Sequence, residues 1–313
     1  MRTTQLTYPF PDATDLPSIE LAHLTALPDG QVVEWEALGE GEPLVWIEGG
    51  PGLPAHLARA DVVPVLDRFR CHLVNAPGCG RTSPPRRRSD YDLEGHVAFW
   101  EAVRRALGLG PVTLMGHSWG GLVGPAWAAM HPEAVRRLIV VAGLAGNGSV
   151  DPAAADAEQQ RALDRLRDRP WFDGAYAAYR IAVGREHPTE PQDVATFRAE
   201  LPFYFAEPDS DLAREHIARL RREMRINEDV NDLWFRRDGW LDADYRPLLG
   251  AISCPTLVIV GEHDWMCGPT WGRPLAAAIP TARLAVLPGQ GHLPQYEAPD
   301  LFRSTIDEWL ETL

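Results

Sequence analysis

The 313-residue sequence predicts an α/β protein: a mostly parallel sheet of eight strands, helices on both faces, and a helical insertion in the second half of the chain. Three observations carry this prediction. Apolar runs of strand length, rich in β-branched residues and bounded by Gly or Pro, recur with helical spacing between them. One such run, PVTLMGHSWGGLVG from Pro111 to Gly124, passes from strand through a glycine-rich turn straight into a helix. Residues 151–250 then break the alternation, because no core strand is visible in them and Arg, Asp, Glu and aromatic residues dominate.

In chain order, strands are expected near 19–25, 31–38, 43–48, 70–75, 111–116, 135–142, 255–261 and 282–288. Helical spacing fits 92–108, 119–131, 270–279 and 299–312. The first three strands have no helix between them and read as an antiparallel meander at the front edge. The later ones alternate with helices, which implies a parallel, doubly wound sheet. Both strands flanking 151–250 read as members of that sheet, so the insertion is expected over the strand ends where α/β ligands bind. The organisation is therefore a core of residues 1–150 and 251–313 with a helical lid over 151–250; the alternative is a separate helical domain with no part in the site.

Composition excludes several classes of function. No apolar run approaches the eighteen or so residues of a membrane span, and the first thirty residues carry prolines and acids where a signal peptide needs a continuous apolar stretch. A cytoplasmic protein without membrane association is the expectation. Cys71, Cys79, Cys254 and Cys267 lack C-x-x-C spacing, which argues against a zinc site and a disulfide framework and leaves reduced thiols. A formal charge of −14 disfavours nucleic acid as a partner, and the one basic cluster, Arg86-Arg87-Arg88, reads as a solvated loop.

Chemistry concentrates at Gly116-His117-Ser118-Trp119-Gly120. Glycines two before and two after a serine remove Cβ atoms that would clash in a strand–turn–helix elbow, and the strained turn presents the serine hydroxyl. That hydroxyl needs a base to take its proton and an acid to orient the base. Strand PTLVIVG runs into GEHDWMCGP and places Asp264 just past a strand end, with Glu262 its nearest competitor. The next strand runs into GQGHLPQYEAP and places His292 in the following loop, whereas His117 and His263 read as neighbours of these positions. Amide donors for an oxyanion are expected from Trp119, directly after the serine, and from Gly50 in the loop Gly49-Gly50-Pro51-Gly52 after the third strand. Pro51 has no N–H and can only shape that loop.

The segments EGGPG at 48–52, NAPGCGRTSPP at 75–85, GHSWGG at 116–121, GEHD at 261–264 and GQGH at 289–292 together resemble the α/β-hydrolase superfamily, most of all its proline iminopeptidase branch, over residues 31–150 and 251–313. The resemblance implies the α/β-hydrolase fold, a triad in the order Ser118, Asp264, His292, and no metal or organic cofactor. Two positions depart from the branch patterns HGGPG and DQRGxGxS: Glu48 replaces the His, and Asn75-Ala76-Pro77 replaces Asp-Gln-Arg. An ionised carboxylate beside an oxyanion hole opposes the charge that develops there, so Glu48 is expected to turn away and accept from loop amides or an Arg, or else to bind a substrate cation.

Together these residues imply a serine hydrolase that cleaves an ester or amide through an acyl-enzyme. The resemblance implies an aminopeptidase removing an N-terminal proline, with lid acids pairing the substrate amine; FRAELPFYF makes Glu200 one candidate anchor and Glu228 a second. A rival is an esterase or lactonase for a bulky small molecule such as a macrolide, walled by Trp171, Phe172, Tyr176, Tyr179, Phe203, Tyr204, Trp234 and Trp240. A ligand-binding receptor that keeps the fold without turnover is the alternative from another class. In every case the partner expected is a small molecule or a short peptide.

Overall fold

The computed structural model describes residues 20–182, 194–235 and 239–313; residue 19, where the first strand is expected to begin, lies outside them. Eight strands among the described residues form one sheet: β1 (His23–Ala26), β2 (Val32–Leu38), β3 (Glu42–Ile47), β4 (Phe69–Val74), β5 (Val112–His117), β6 (Val135–Val141), β7 (Thr256–Gly261) and β8 (Ala282–Leu287). Their order is β1-β2-β4-β3-β5-β6-β7-β8. The pairs β1–β2 and β2–β4 are antiparallel, and every later pair is parallel. β5 and β7 are buried along their whole length, as the continuous apolar runs of a covered parallel sheet require.

The front edge differs from a simple meander. β3 does not pair with β2; it passes beyond β4 and pairs in parallel with both β4 and β5, Leu44 facing Cys71 on one side and Thr113 on the other. Leu44, Val45, Trp46 and Ile47 are buried on both faces, which suits a central strand and not an edge. The short link from β2 must then cross the chain entering β4. Gly39 and Gly41, at φ +78° and +112°, make that crossing possible: a Cβ on them would stand 2.5 Å from the Leu66 carbonyl oxygen and 2.2 Å from that of Arg68.

Helices α1 (Leu93–Ala106) and α2 (Gly120–Met130) bury Val97, Trp100, Leu122 and Trp127 against Val45, Ile47 and Leu114 on one face of the sheet. The segment between β6 and β7 holds α3 (Pro152–Asp164), α4 (Phe172–Ala182), α5 (Val194–Glu200), α6 (Asp211–Glu223), α7 (Glu228–Phe235) and α8 (Arg246–Leu249), with no strand among its described residues. After β7 come α9 (Pro269–Ala278), on the same face as α1, and, after β8, α10 (Pro294–Glu297) and α11 (Pro299–Leu310). On the opposite face, α11 sets Phe302, Ile306 and Trp309 against Trp46, Leu73 and Ile139.

Helices α3, α4, α5 and α6 of the insertion share a third apolar core, whereas α7 and α8 pack into the core under α1 and α2. Leu163, Phe172, Phe203, Phe205 and Ile217 pack in the third core with Leu57, Trp265 and Leu293, which stand in the loops after β3, β7 and β8, and with Tyr296 of α10. The insertion therefore lies over the carboxyl ends of those strands. No helix among the described residues is long and apolar enough to cross a membrane.

Candidate active site

Ser118 follows β5 at φ +52°, a left-handed conformation that a residue with a Cβ adopts only at a cost of about 1–3 kcal/mol and only where its surroundings enforce it. The enforcement is visible on both sides. The Ser118 amide donates to the Val141 carbonyl at 2.9 Å, and its own carbonyl accepts from the Gly121 amide at 2.8 Å. A Cβ on Gly116 would sit 2.1 Å from the Gly120 carbonyl oxygen, and one on Gly120 would sit 2.2 Å from that of Ile47. Both glycines of the elbow are thus sterically required.

Asp264 and His292 come together above the next strands. His292 Nδ1 and Asp264 Oδ2 are 2.8 Å apart, and Asp264 Oδ1 accepts from the amides of Met266 and Cys267 at 2.9 and 3.0 Å. Burial works to raise the Asp264 carboxyl, but His292 and the two amides outweigh it and hold the group below its ordinary range. Its ionised form fixes a proton on Nδ1 of His292 and leaves Nε2 as the free, basic nitrogen. Glu262, the competitor, is exposed and accepts from the Gly289 amide instead.

The ring of His117 joins the serine elbow to the histidine loop. Its Nε2 donates to the His292 carbonyl at 2.9 Å, and burial, followed by the neighbouring His292, lowers its basicity to about 3, so it stays neutral. A residue not singled out in the sequence holds the same loop from the other side: Glu297 Oε1 accepts from the Gly291 and Leu293 amides, and Oε2 from Ala206 in the insertion. Burial pushes Glu297 up to about 7 against those three amides. Its signal in the sequence is an acid one turn into the helix after the histidine, detectable only once that loop is known to need a staple.

The glycine loop abuts the elbow, since a Cβ on Gly49 would stand 3.0 Å from that of Ser118. The Gly49 amide is taken by Glu48 Oε1 at 2.9 Å, whereas the amides of Gly50 and Trp119 donate to no acceptor among the described residues. Glu48 itself is half-buried, and its other oxygen accepts from the Trp46 indole at 3.3 Å. Burial, then the Asp61 carboxylate, push Glu48 up to about 8 against these donors and the Arg219 guanidinium. Its surroundings therefore favour the neutral carboxyl over the carboxylate. The second departure, Asn75, is buried and bridges the Ala55 amide and Glu34, each at 2.7 Å.

Glu200 and Glu228, the two acids expected to anchor a substrate amine, stand on different helices of the insertion. Glu200 is buried at the end of α5, where its charge acts after burial to keep the Tyr204 phenol protonated far above its usual range; Glu228 is exposed on the first turn of α7. The aromatic residues divide as well. Phe172, Tyr179, Phe203 and Tyr204 pack around Trp265, with the Tyr204 ring 5.2 Å from that of His292, whereas Trp234 and Trp240 join Trp119 on the opposite side. Ser118 is 8% exposed and His292 1%. This burial makes it a closed arrangement, and two surface grooves, of about 650 Å³ beside Arg86 and Phe99 and about 360 Å³ beside Gln160 and Tyr176, are lined by other residues. Glu101, His131 and Glu133 each bring a ligand atom within 4.8 Å of the others, but Glu101 already accepts from Arg104, Arg105 and Trp127. Glu101 thus belongs to an ion-pair knot with Arg104 and Arg105 on α1.

The family model described as alpha/beta hydrolase fold matches residues 42–299. The pimeloyl-[acyl-carrier protein] methyl ester esterase of Chromobacterium violaceum is 31% identical over 247 residues, covering 78% of this chain and 85% of that protein. The proline iminopeptidase of Lactobacillus helveticus is 26% identical over 287 residues, covering 85% and 88%. An alpha/beta fold family hydrolase from Bacillus anthracis superposes with a TM-score of 0.72 at 21% identity, over 92% of this chain and 98% of that one. By fold, matched length and kinship to these enzymes, the chain belongs to the α/β-hydrolase family.

Proposed function

We propose that the protein is a serine hydrolase that cleaves an ester or amide bond through an acyl-enzyme. Ser118 Oγ attacks the carbonyl carbon while His292 Nε2 takes its proton. His292 then returns that proton to the leaving alcohol or amine, and a water activated by the same nitrogen releases the acid. Asp264 holds the tautomer, and the amides of Gly50 and Trp119 receive the oxyanion. The observation that carries the reading is the 2.8 Å contact between His292 and an Asp264 whose other oxygen is saturated by two amides, at the carboxyl ends of the strands, where Ser118 is held at positive φ.

Residues 151–250 act in this reading as a lid that must shift to admit substrate. The substrate is a small molecule or short peptide, and the aromatic residues on both sides favour an apolar acyl group, as an esterase or lactonase takes. An aminopeptidase is the second reading. It is favoured by Glu200, a buried acid in the surroundings of Tyr204, whose ring lies against His292.

Labelling with a fluorophosphonate, followed by assay of aryl esters, macrolactones and proline arylamides, tests both. Ser118→Ala should lose labelling and at least about a thousandfold of the rate with its melting temperature kept. Normal turnover by that variant removes Ser118 from the mechanism, and an unlabelled wild type points to a receptor. Preference for the arylamide over a matched ester, lost in Glu200→Gln, would select the aminopeptidase.

A further inference from the structure

Helix α7 of the insertion touches both segments that present the amides of Gly50 and Trp119. Just before it, Asn227 donates its main-chain N–H to the Gly52 carbonyl at 2.9 Å and its Nδ2 to the Gly78 carbonyl at 2.8 Å. One turn on, Asn231, 1% exposed, donates Nδ2 to the Pro51 carbonyl at 3.2 Å. Another turn along, Trp234 sets its ring edge-on to Trp119, centroids 5.4 Å apart and planes at 83°, and donates Nε1 to the Tyr91 carbonyl at 3.0 Å. These three residues recur at helical spacing and so share one face. The approach is as close as backbones allow: a Cβ on Gly52 would stand 2.6 Å from the Asn227 carbonyl oxygen, and one on Gly78 would stand 2.5 Å from Asn227 Nδ2.

These bonds bear on the direction of a single N–H. The orientation of the Gly50 amide depends on the peptide planes to either side of it. Upstream, Glu48 holds the Gly49 amide; within the turn, the Gly50 carbonyl accepts from Leu53 at 3.0 Å; downstream, the carbonyls of Pro51 and Gly52 are held by Asn231 and Asn227. Pro51 cannot rotate freely about φ, so pinning its carbonyl transmits to Gly50. Two of these restraints come from the core and two from the insertion.

We propose that α7 braces the oxyanion hole, with Asn231 and Asn227 as positioning residues, so that the hole is complete only while the insertion is seated. This rests on the acyl-enzyme reading above. An oxyanion site tolerates misplacement of only about 0.5 Å, so a loosened loop stabilises the transition state less while binding the ground state nearly as before. The device couples closure over a substrate to the competence of the serine beneath it.

The test is kinetic. Asn231→Asp keeps the side-chain shape but turns an acceptor toward the Pro51 carbonyl, and Asn231→Ala removes the donor without adding charge. Both should lower kcat on an aryl ester by roughly 10–100-fold and leave KM within about threefold. Affinity for a trifluoromethyl ketone, whose adduct with Ser118 carries an oxyanion, should fall by the same factor. A purely structural role would lower the melting temperature and leave both quantities unchanged in the folded fraction. Should Asn231→Asp fail to fold, Asn231→Ala and Asn227→Ala carry the measurement. Wild-type kcat in folded variants, or a fall in kcat without a fall in ketone affinity, overturns the brace alone, provided that Ser118→Ala is inactive. Activity persisting in Ser118→Ala overturns the acyl-enzyme reading, and the brace with it.

Discussion

At Glu48, burial and the neighbouring Asp61 bear on a charge that the sequence leaves open. A carboxylate at the mouth of the proposed oxyanion loop would oppose catalysis if ionised, yet burial and Asp61 hold this one up to about 8. Because the folded-state value lies above the unfolded one, the folded protein binds the extra proton between about 4.5 and 8, and stability falls as pH rises through that window. Glu297, up to about 7, and Asp61, up to about 6, contribute with the same sign. Glu48→Gln keeps a carbonyl for the Gly49 amide and loses the acceptor for Trp46, a cost of about 1 kcal/mol at pH 6. Thermal melts should then show the variant below wild type at pH 6 and gaining on it steadily toward pH 9. On neutral esters, the wild-type rate should decline above pH 8 as Glu48 ionises, and the variant should lack that decline. A constant gap between the two melting curves across this range would show that Glu48 is ionised throughout. The departure at Glu48 was plain in the sequence; its partners Asp61 and Arg219 were not, because they meet it only through the fold.

Elements were legible where periodicity is local. The helices at 93–106, 120–130, 269–278 and 299–310 fall within two residues of the spans expected from spacing alone. Asp264 and His292 could be read as strand-end positions for the same reason. What spacing could not supply is which strands are neighbours: β3 was read as part of a front meander, whereas it lies between β4 and β5. The trace of that topology in the sequence is the glycine pair of the β2–β3 link. Gly41→Ala drives a Cβ into the Arg68 carbonyl at a residue with φ +112°, so it should destabilise by at least about 3 kcal/mol. Gly108, at φ +65° with nothing within 4 Å of its Cβ position, is the control: Gly108→Ala should cost about 1 kcal/mol, the conformational penalty alone. Denaturant midpoints for the two variants measure the difference. Equal costs would mean that the link does not cross β4 as closely as this topology requires. The contacts of Asn227 with Gly78, Asn231 with Pro51 and Glu297 with Ala206 were illegible on the same grounds, since each joins segments far apart in the chain.

At the scale of the whole molecule, the insertion and the sheet core share both packing and hydrogen bonds. The His292 amide donates to the Tyr204 carbonyl at 2.9 Å, Ala206 donates to Glu297 at 2.7 Å, and Arg219 donates to the Leu57 carbonyl at 3.1 Å. Leu57, Trp265, Leu293 and Tyr296 of the core complete an apolar cluster that the insertion does not close by itself. An insertion built this way cannot melt independently without uncovering core residues, so the chain should unfold in one step. Phe203, buried against Trp171, Phe172 and Trp265, is the place to test this. Phe203→Ala removes an aromatic ring from that shared cluster and should cost about 3–5 kcal/mol. For a chain of this size that lowers the melting temperature by roughly 5–8 °C. Loss of activity and loss of far-ultraviolet helicity should move together and by the same amount, because the site and the insertion belong to one cooperative unit. Two separated transitions, with activity and part of the helical signal lost early while a sheet-core transition stays at its wild-type temperature, would instead make residues 151–250 an independent domain and leave the closed arrangement of Ser118 and His292 without a cooperative origin.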